Sequence, residues 1–428
     1  MILGCITGFF LVRFLFIILF PGTGRTIMIQ ASKRSQNISY AIREVVKPAS
    51  DLEKKGNKIL HLNIGDPNKY DFDTPDHMKE ALYAATKEGF NGYAPSEGYM
   101  ELREAIIQRE KKRNNTNYFV DDVCITTGVT ESLQILLEAS LDPNDEILIP
   151  GPVYPQYQLL AQVNDALPIY YRCLEDEGWQ PDVDQIRKKI SNRTKAIVLI
   201  NPNNPTGAVY LPKVIKQIID IAGEYGIPIV SDEIYDDLTF TKRQCATASL
   251  AKDVPVITFN GFSKVYLVPG WRMGYVLFHQ QSGELNELVD AFMRIARSRL
   301  CANSICQKAC IAALTGPQDH IQQVNNKLMK RRDFSYKRLN EIPGISTAKP
   351  EGAFYIFPKI EAMDKGIWKT DKEFVLDLLY ETHVLVVHGS GFGSNYGKGH
   401  FRAVILPPMD TLEKAFDKME AFMKKRVA

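Results

Sequence analysis

Residues Val256–Gly274 read VITFNGFSKVYLVPGWRMG, and this stretch decides how the rest of the 428-residue chain is interpreted. Val256 to Phe259 is a short apolar, partly β-branched run, which predicts a buried strand. An Asn-Gly turn signal ends the run, and Lys264 follows on the loop, at the edge of what should be a core. Arg272 comes eight positions later, behind a Pro-Gly pair, so the chain can double back and bring a permanent cation near Lys264.

A lysine in this position has a specific chemical use. Apolar neighbours remove solvent from its amine and disfavour the charged form. A neutral amine is a nucleophile, and Schiff-base chemistry with a carbonyl needs one. A lysine and an arginine around one pocket suggest a ligand with a carbonyl and an anion, and pyridoxal phosphate has both. A surface lysine after a strand is the commoner origin of such a pattern, so the rest of the chain has to decide.

Composition and charge narrow the class of protein. A chain of this length forms two or three lobes, and 52 basic against 50 acidic residues give no reason to expect nucleic acid as a partner. Seven cysteines at irregular spacings indicate reduced thiols and a cytoplasmic location. Cys301, Cys306 and Cys310 lie close together, but no C-x-x-C pair exists and the segment reads as a helix. Small buried side chains are favoured over a metal site.

Residues 1–27 differ from the rest of the chain. Gly8 to Phe20 is almost continuously apolar and is followed by Pro-Gly-Thr-Gly. The run is short for a membrane helix and contains Arg13, and no basic residues precede it as they would in a signal peptide. Three interpretations stay open: a start assigned too early, with translation from Met28, a membrane anchor, or a signal peptide. We favour the early start.

From Asp122 onward, apolar strands alternate with helices, which predicts a mostly parallel sheet covered on both faces. Ligands of such sheets bind at the carboxyl ends of the strands. Five chemically useful residues fall at predicted strand ends, and no packing rule requires that: Gly128, Tyr154, Asn204, Asp232 and Lys264. After about Ser282, helices and short strands predict a second, α+β lobe.

Each motif also has a structural explanation. Gly128-Val129-Thr130 before a helix offers backbone N–H groups to a phosphate, or Thr130 is a helix cap. Asp232 at a strand end is suited to hold a protonated ring nitrogen; alternatively, it caps a helix or turn. Tyr235 is placed to form a hydrogen bond with a phenolic oxygen of a ligand; alternatively, it is part of the core.

Two further positions are equally open. Asn204 lies in the rigid turn PNNPTG, which aims its amide or is only a turn. Arg402 lies inside an apolar strand, where guanidinium groups are rarely left unpaired. Its partner is a substrate carboxylate or a structural Asp or Glu.

Taken together, these motifs resemble the class I pyridoxal-phosphate-dependent aminotransferases of fold type I, in the family's order, from about residue 33 to the end. The resemblance implies a large domain with a mostly parallel seven-stranded sheet and a small α+β domain. The segments NIGDP at 63–67, NGFSK at 260–264 and VHGSGFG at 387–393 look most like alanine aminotransferases of archaeal type. We accordingly divide the chain into an extension, residues 1–27, a small domain, residues 28–77 with 317–428, and a cofactor-binding domain, residues 78–316.

The resemblance also implies roles for individual residues. Lys264 would be the Schiff-base lysine, Asp232 would pair with the pyridinium nitrogen, and Asn204 and Tyr235 would bind the ring hydroxyl. Tyr154 would stack on the ring, and Arg402 would bind the substrate α-carboxylate, with Gly65 beside it. The phosphate would be held by Arg272, Gly128, Val129 and Thr130, and by Tyr93 of a second subunit in a homodimer with shared sites. Many family members carry a phosphate-binding serine three residues before the lysine, where this chain has Gly261; Ser263 is the expected substitute.

The implied activity is amino-group transfer from an L-amino acid, with L-alanine and 2-oxoglutarate as the expected pair, without a metal. Three alternatives remain at this stage. The first is the same chemistry on aspartate or aromatic amino acids, the second is a lyase reaction such as β-elimination, and the third is a transcription regulator that keeps the fold as a ligand sensor. Such regulators carry an added DNA-binding domain, and the short apolar segment before residue 28 is not one.

Overall fold

The structure is a computed structural model, and it describes residues 30–36, 40–241 and 243–427. The predicted extension, residues 1–27, and the predicted start at Met28 lie outside the described residues. The chain divides into two compact units, residues 1–38 and 39–428. In the first unit, the described residues contain one helical turn, α1. In the second, no helix within the described ranges is long and apolar enough to span a membrane.

The helices and strands alternate along most of the chain. The helices are α1 Lys33–Gln36, α2 Ala41–Glu44, α3 Val46–Lys54, α4 Asp76–Lys87, α5 Met100–Asn114, α6 Val129–Ser140, α7 Pro155–Val163, α8 Val183–Lys189, α9 Pro212–Tyr225, α10 Thr247–Leu250, α11 Asn286–Ser298, α12 Ser304–Thr315, α13 Asp319–Glu341, α14 Asp371–Thr382 and α15 Met409–Val427. The strands are β1 Leu60–His61, β2 Val123–Thr126, β3 Glu146–Gly151, β4 Leu167–Leu174, β5 Gln180–Pro181, β6 Thr194–Ile200, β7 Ile229–Asp232, β8 Val256–Gly261, β9 Gly274–His279, β10 Ile345–Ser346, β11 Tyr355–Ile356, β12 Lys359–Ile360, β13 Val384–Leu385, β14 Val387–His388 and β15 Phe401–Val404.

The main sheet of the described chain has the order β2-β9-β8-β7-β6-β3-β4-β5. The central pairs β8–β7, β7–β6, β6–β3 and β3–β4 are parallel, and the pairs at both ends are antiparallel. The mostly parallel α/β sheet predicted from the sequence is therefore confirmed. The seven longer strands match the expected number, and the two-residue strand β5 extends one edge.

Local signals explain where several helices begin and end. Helix α9 starts at Pro212, whose ring pre-sets the helical φ, and ends before Gly226, which adopts the left-handed conformation at φ 63°. Helix α14 begins with a capping box between Thr370 and Glu373. Helices α2 and α3 are separated by a single residue, Val45.

Burial follows the predicted pattern of a sheet covered on both faces. Strands β2, β3, β7 and β8 are buried at every position, as expected for strands with helices on both sides. Strand β3 has β4 as its neighbour on one side of the sheet and β6 on the other. From β3 the chain continues to β4 towards one edge, and from β6 it continues to β7 and β8 towards the opposite edge. The strand order thus reverses between β3 and β6, and crevices for ligands form at the carboxyl ends of strands where such a reversal occurs.

Small sheets form the remaining β-structure of the second unit. Strand β1 pairs in parallel with β13, β10 pairs antiparallel with β12, and β15 lies between β11 and β14. Segments from both ends of the chain meet in the pairing of β1 with β13. This mixture of helices and short strands agrees in kind with the predicted α+β lobe.

Candidate active site

A cavity of ≈ 270 Å³ lies at the carboxyl ends of the central strands. Its lining includes most of the residues selected from the sequence: Gly65, Val129, Thr130, Tyr154, Asn204, Asp232, Tyr235, Ser263, Lys264, Arg272 and Arg402. These residues lie at or just after the ends of β2, β3, β6, β7 and β8, and on segments nearer the two ends of the chain. The fold therefore brings into one site groups that are as much as 337 residues apart, as Gly65 and Arg402 are (402 minus 65).

Lys264 presents a partly buried amine to this cavity. Its Nζ donates a hydrogen bond to the carbonyl oxygen of Gly65 at 2.9 Å. Burial, together with the cations of Arg272 and Arg402, lowers the pKa of Lys264 to about 8, although Asp66 and Asp232 act in the opposite direction. Desolvation and like charges both disfavour an ammonium. The lowered pKa makes the neutral, nucleophilic form of the Lys264 amine easier to reach than in a solvated lysine.

Asp232 ends strand β7 and is 5% exposed. Its Oδ2 accepts a hydrogen bond from the hydroxyl of Tyr157 at 2.8 Å, and its Oδ1 accepts one from the backbone N–H of Ile234 at 3.1 Å. Burial raises the pKa of Asp232 to about 6, although both hydrogen bonds and the charge of Lys264 oppose the rise. A cation placed against this carboxylate would favour its ionised form. Asp232 is therefore suited to a ligand with a protonatable ring nitrogen.

Arg272 lies beside the start of α6. Gly128, the residue before the helix, has φ 85°, and a side-chain carbon at this position would lie 2.6 Å from Arg272 Nη2. Arg272 donates to the carbonyl oxygens of Pro269 at 3.0 Å and Thr127 at 3.4 Å, which keeps its guanidinium beside the helix start. Free N–H groups at a helix N-terminus bind phosphate. Because Gly128 has no side chain, the Arg272 guanidinium can lie close to the backbone at the start of α6.

The presence of glycine at position 261, where many family members have a serine, has a steric explanation. A side-chain carbon at Gly261 would lie 2.8 Å from the carbonyl oxygen of Met273 and 2.9 Å from the Cα of Gly274. Strand β9 packs too closely here for a serine. Ser263, by contrast, lines the cavity, so the proposed substitution of Ser263 for the usual serine is compatible with the geometry.

Arg402 lies in strand β15 and is 2% exposed. It donates to the carbonyl oxygen of Asn63 at 2.7 Å and to Oδ1 of Asn204 at 3.0 Å, and its guanidinium stacks against the rings of Tyr355 and Phe392 at 4.6 and 4.8 Å. Within residues 30–36, 40–241 and 243–427, Arg402 forms no salt bridge, and its buried Nε has no hydrogen-bond partner. A buried guanidinium without an acidic partner needs one. This geometry favours a ligand carboxylate over the structural Asp or Glu that the sequence left open.

Sequence reasoning missed three tyrosines that support the selected residues. Tyr157 binds Asp232, the hydroxyls of Tyr355 and Tyr235 lie 2.8 Å apart, and those of Tyr40 and Tyr154 lie 3.1 Å apart. Tyr157 follows Tyr154 by three residues, so helical spacing offered a signal. The other two come from distant segments, and nothing local in the sequence marks them.

Two predicted contacts fall outside the lining of this cavity. Gly128 is not among the lining residues, and a side-chain carbon built there would lie 2.6 Å from Arg272 Nη2. Tyr93 is 83% exposed and lies away from the site of its own chain. Its predicted contact with a second subunit's cofactor stays a prediction. Among the described residues, no group of three or more His, Cys, Asp or Glu side chains is arranged to hold a metal ion.

An α/β fold in which a partly buried lysine, a buried carboxylate and an arginine beside a helix N-terminus surround one cavity is suited to an enzyme that uses a phosphorylated carbonyl cofactor. Comparison with known proteins agrees. The family model described as aminotransferase class I and II matches residues 57–419, and the chain belongs to this family.

Individual relatives are similar over nearly their full length. The chain is 37% identical over 399 residues to the glutamate-pyruvate aminotransferase AlaA of Escherichia coli K12, covering 92% of this chain and 98% of that one. It is 36% identical over 397 residues to an alanine aminotransferase of Mycobacterium tuberculosis, covering 92% of each. The solved structure of an alanine aminotransferase from Pyrococcus furiosus superposes with a TM-score of 0.91 at 58% identity, covering 93% of this chain and all of that one.

Proposed function

We propose that this aminotransferase binds pyridoxal 5'-phosphate and transfers the amino group of L-alanine to 2-oxoglutarate, giving pyruvate and L-glutamate. The observation that carries the proposal is the Lys264 amine, with its lowered pKa, in one cavity with Asp232 and with Arg402, whose guanidinium has no acidic partner among the described residues. The amino-acid preference rests on the names of the relatives. L-alanine and 2-oxoglutarate are also the substrate pair expected from the sequence.

The residues present fit this cofactor. Arg272 and the start of α6 would hold the phosphate, Tyr154 would lie against the ring, and Asp232 would bind the ring nitrogen. When bound, the cofactor supplies a carbonyl that condenses with amines and a ring that accepts the electrons of the substrate Cα–H bond.

The orientation of Asn204 follows from its partner. Because a guanidinium only donates hydrogen bonds, the Asn204 atom that faces Arg402 at 3.0 Å must be its carbonyl oxygen. The Asn204 NH₂ group is then left to donate to a ring oxygen of the ligand. Tyr235, held by Tyr355 at 2.8 Å, would donate to the same oxygen.

Two groups would act on the substrate. Arg402 would bind the α-carboxylate through paired N–H groups and so fix the position of the Cα–H bond. The Lys264 amine would take that proton as a general base. A pKa of about 8 suits this task, since a base works best when its pKa is near the working pH.

We also propose a homodimer with shared sites, in which Tyr93 reaches the phosphate bound by the partner subunit. The high exposure of Tyr93 in the single chain supports this arrangement. A soluble form beginning at Met28 would be analysed by sedimentation, with Tyr93→Phe tested for weaker cofactor retention. A monomer with full activity would contradict the shared site.

The function itself is tested by a panel of amino donors with 2-oxoglutarate as acceptor, in the presence of added pyridoxal phosphate. We expect the highest kcat/KM for L-alanine and no transamination by Lys264→Ala, which should still fold. A kcat/KM for aspartate or for an aromatic amino acid ten times that for alanine would show that the substrate assignment is wrong. Normal turnover by Lys264→Ala would show that Lys264 is not the catalytic lysine.

A further inference from the structure

Arg299, directly after α11, joins three segments of the chain through one guanidinium. Its Nη2 donates a hydrogen bond to the carbonyl oxygen of Ile125 in β2 at 2.6 Å, and its Nη1 donates to that of Ser96 at 3.2 Å. Its Nε donates to Oε2 of Glu131 in α6 at 3.1 Å. A guanidinium carries its donors in a fixed fork, so one side chain can hold several acceptors in a defined arrangement. The sequence analysis did not select Arg299, and the proposed function gives it no role.

On one side, Arg299 acts through Glu131 on the segment proposed to bind the phosphate. Glu131 is the third residue of α6, and its Oε2 also accepts a hydrogen bond from the backbone N–H of Thr127 at 2.7 Å. The carbonyl oxygen of Thr127 in turn accepts one from Arg272 Nη2 at 3.4 Å. The residue before Gly128 is therefore held from both sides. Arg299 and Glu131 together fix the backbone where α6 begins.

The charge of Glu131 matters at this position as well. Its carboxylate belongs to the first turn of α6, whose free N–H groups would serve the phosphate. An unpaired carboxylate beside a bound phosphate would repel it, since like charges interact unfavourably at short range. Arg299 neutralises Glu131 in a salt bridge whose two side chains are only 17% and 19% exposed. Loss of Arg299 would leave uncompensated negative charge next to the proposed phosphate position.

On the other side, Arg299 holds the loop that carries Tyr93. The bond to Ser96 fastens this loop three residues after the tyrosine, and the backbone N–H of Tyr99 donates to Oε1 of the buried Gln307 at 2.8 Å. Tyr93 is nevertheless 83% exposed. An aromatic side chain presented to solvent by an anchored loop has less conformational freedom to lose when a partner binds it. The loop is thus built to hold Tyr93 outward.

We propose that Arg299 is a positioning residue that links the phosphate-binding segment of its own subunit to the loop that presents Tyr93 to the other subunit. The inference rests on the proposed function, because it presumes a homodimer with shared sites. One side chain then governs cofactor retention in two sites, its own through Glu131 and the partner's through Ser96. The two sites of the dimer are coupled by this contact.

Hybrid dimers separate the two effects. In each hybrid one subunit carries Lys264→Ala, so the dimer keeps a single Lys264. Borohydride reduction fixes pyridoxal phosphate to that lysine, and mass spectrometry of its peptide gives the occupancy at each cofactor concentration without any turnover. In the first hybrid, Arg299→Gln lies in the subunit that keeps Lys264; in the second, it lies in the Lys264→Ala subunit. Arg294→Gln, which removes an exposed cation from α11, is the matched control.

We expect the apparent dissociation constant of the cofactor to rise at least about fivefold in both hybrids, relative to the hybrid without a change at Arg299. Arg294→Gln should change it less than about twofold in either position. Adding Glu131→Gln to the Arg299→Gln subunit should recover part of the loss in the first hybrid, because it removes the unpaired carboxylate. It should recover none in the second, where the loop is affected.

Arg299→Lys gives a further comparison, and it replaces Arg299→Gln if that variant does not fold. A lysine keeps the charge that neutralises Glu131 but lacks the fork that reaches Ser96 at the same time. Retention should therefore stay closer to normal in the first hybrid than in the second.

The outcomes separate this inference from the proposed function. Tyr93→Phe in the Lys264→Ala subunit tests the shared site directly. If it weakens retention there and Arg299→Gln does not, the shared site stands and the inference is overturned. If only Arg299→Gln acts across the dimer, the coupling stands and the proposed contact of the Tyr93 hydroxyl is wrong. If neither acts across the dimer, both are wrong. A lower thermal midpoint with unchanged dissociation constants would show that Arg299 only stabilises the fold, which also overturns the inference.

Discussion

Arg402 donates a hydrogen bond to Oδ1 of Asn204 at 3.0 Å, although the two residues lie 198 positions apart in the sequence. The bond connects β15, from the small sheets, to the loop after β6 in the main sheet. It fixes the Asn204 amide and aims the guanidinium at the cavity at the same time. A substrate carboxylate at Arg402 would thereby be coupled to the orientation of a residue proposed to bind the cofactor.

We expect Arg402→Lys to lower kcat/KM about 10- to 100-fold for every amino acid and oxo acid, a loss of roughly 1.4–2.8 kcal/mol in transition-state stabilisation. A lysine keeps the charge but cannot form two parallel bonds to a carboxylate. Amines without a carboxylate should react with the variant and the wild type at similar rates. A variant that loses the cofactor while its remaining holoenzyme turns over normally would show that Arg402 is structural.

Tyr157→Phe should reduce kcat several-fold and weaken cofactor binding. The variant removes the hydrogen bond to Oδ2 of Asp232, which lowers the pKa of that carboxyl against the effect of burial. Asp232 would then be a weaker partner for a protonated ring nitrogen. Tyr171→Phe is the control, because the buried Tyr171 hydroxyl donates to the carbonyl oxygen of Val198 and Tyr171 is not among the residues that line the cavity. Equal losses in the two variants would count against a role through Asp232.

The pH dependence of the Lys264 amine can be measured in cofactor-free protein. Burial, with the charges of Arg272 and Arg402, lowers the pKa of Lys264 to about 8 from its ordinary 10.5. Acetylation of Lys264, followed by mass spectrometry of its peptide, should therefore rise with pH and reach half its maximum near pH 8. Arg272→Gln should move this midpoint upward, since it removes a like charge. A midpoint at pH 10 or above in the unaltered protein would refute the lowered pKa.

Glu233 gives a stability prediction. It is 1% exposed, with Oε1 accepting hydrogen bonds from Ser231 Oγ and the Thr247 backbone N–H. Burial, together with the charges of Glu110 and Asp236, raises the pKa of Glu233 from 4.5 to about 7. Between these two values the folded protein binds more protons than the unfolded chain, so Glu233 makes stability fall as pH rises through this window.

Glu233→Gln cannot lose a proton and should escape that fall. The difference in unfolding free energy between variant and wild type should grow in favour of the variant, from pH 4.5 to pH 7, by on the order of 2–3 kcal/mol. Denaturant unfolding at pH 5 and pH 8 measures it. Glu138→Gln, which removes an exposed carboxylate from α6, should show no such growth. A constant difference for Glu233→Gln would show that Glu233 is ionised throughout.

Much of the site was predictable because its residues occupy special positions in local patterns. Lys264, Asp232 and Asn204 lie at or just after the ends of apolar runs that predict buried strands, and parallel strands place their carboxyl ends together. Gly128 precedes a helix, and the sequence Gly128-Val129-Thr130 marks where that helix starts. For Arg402, an apolar strand predicted burial, but the choice between a ligand and a structural partner needed the surrounding side chains.

The sequence by itself determined the alternation of strands and helices, the residues at the strand ends and the lysine suited to a carbonyl cofactor, because these depend on hydrophobic periodicity and on neighbours close in the chain. Only the tertiary structure decided that Tyr157 supports Asp232 and that Tyr355 supports Tyr235. Such contacts join segments whose local patterns are those of ordinary helices and strands. They arise from the order in which the strands pair and from close packing, and no periodicity in the sequence encodes either.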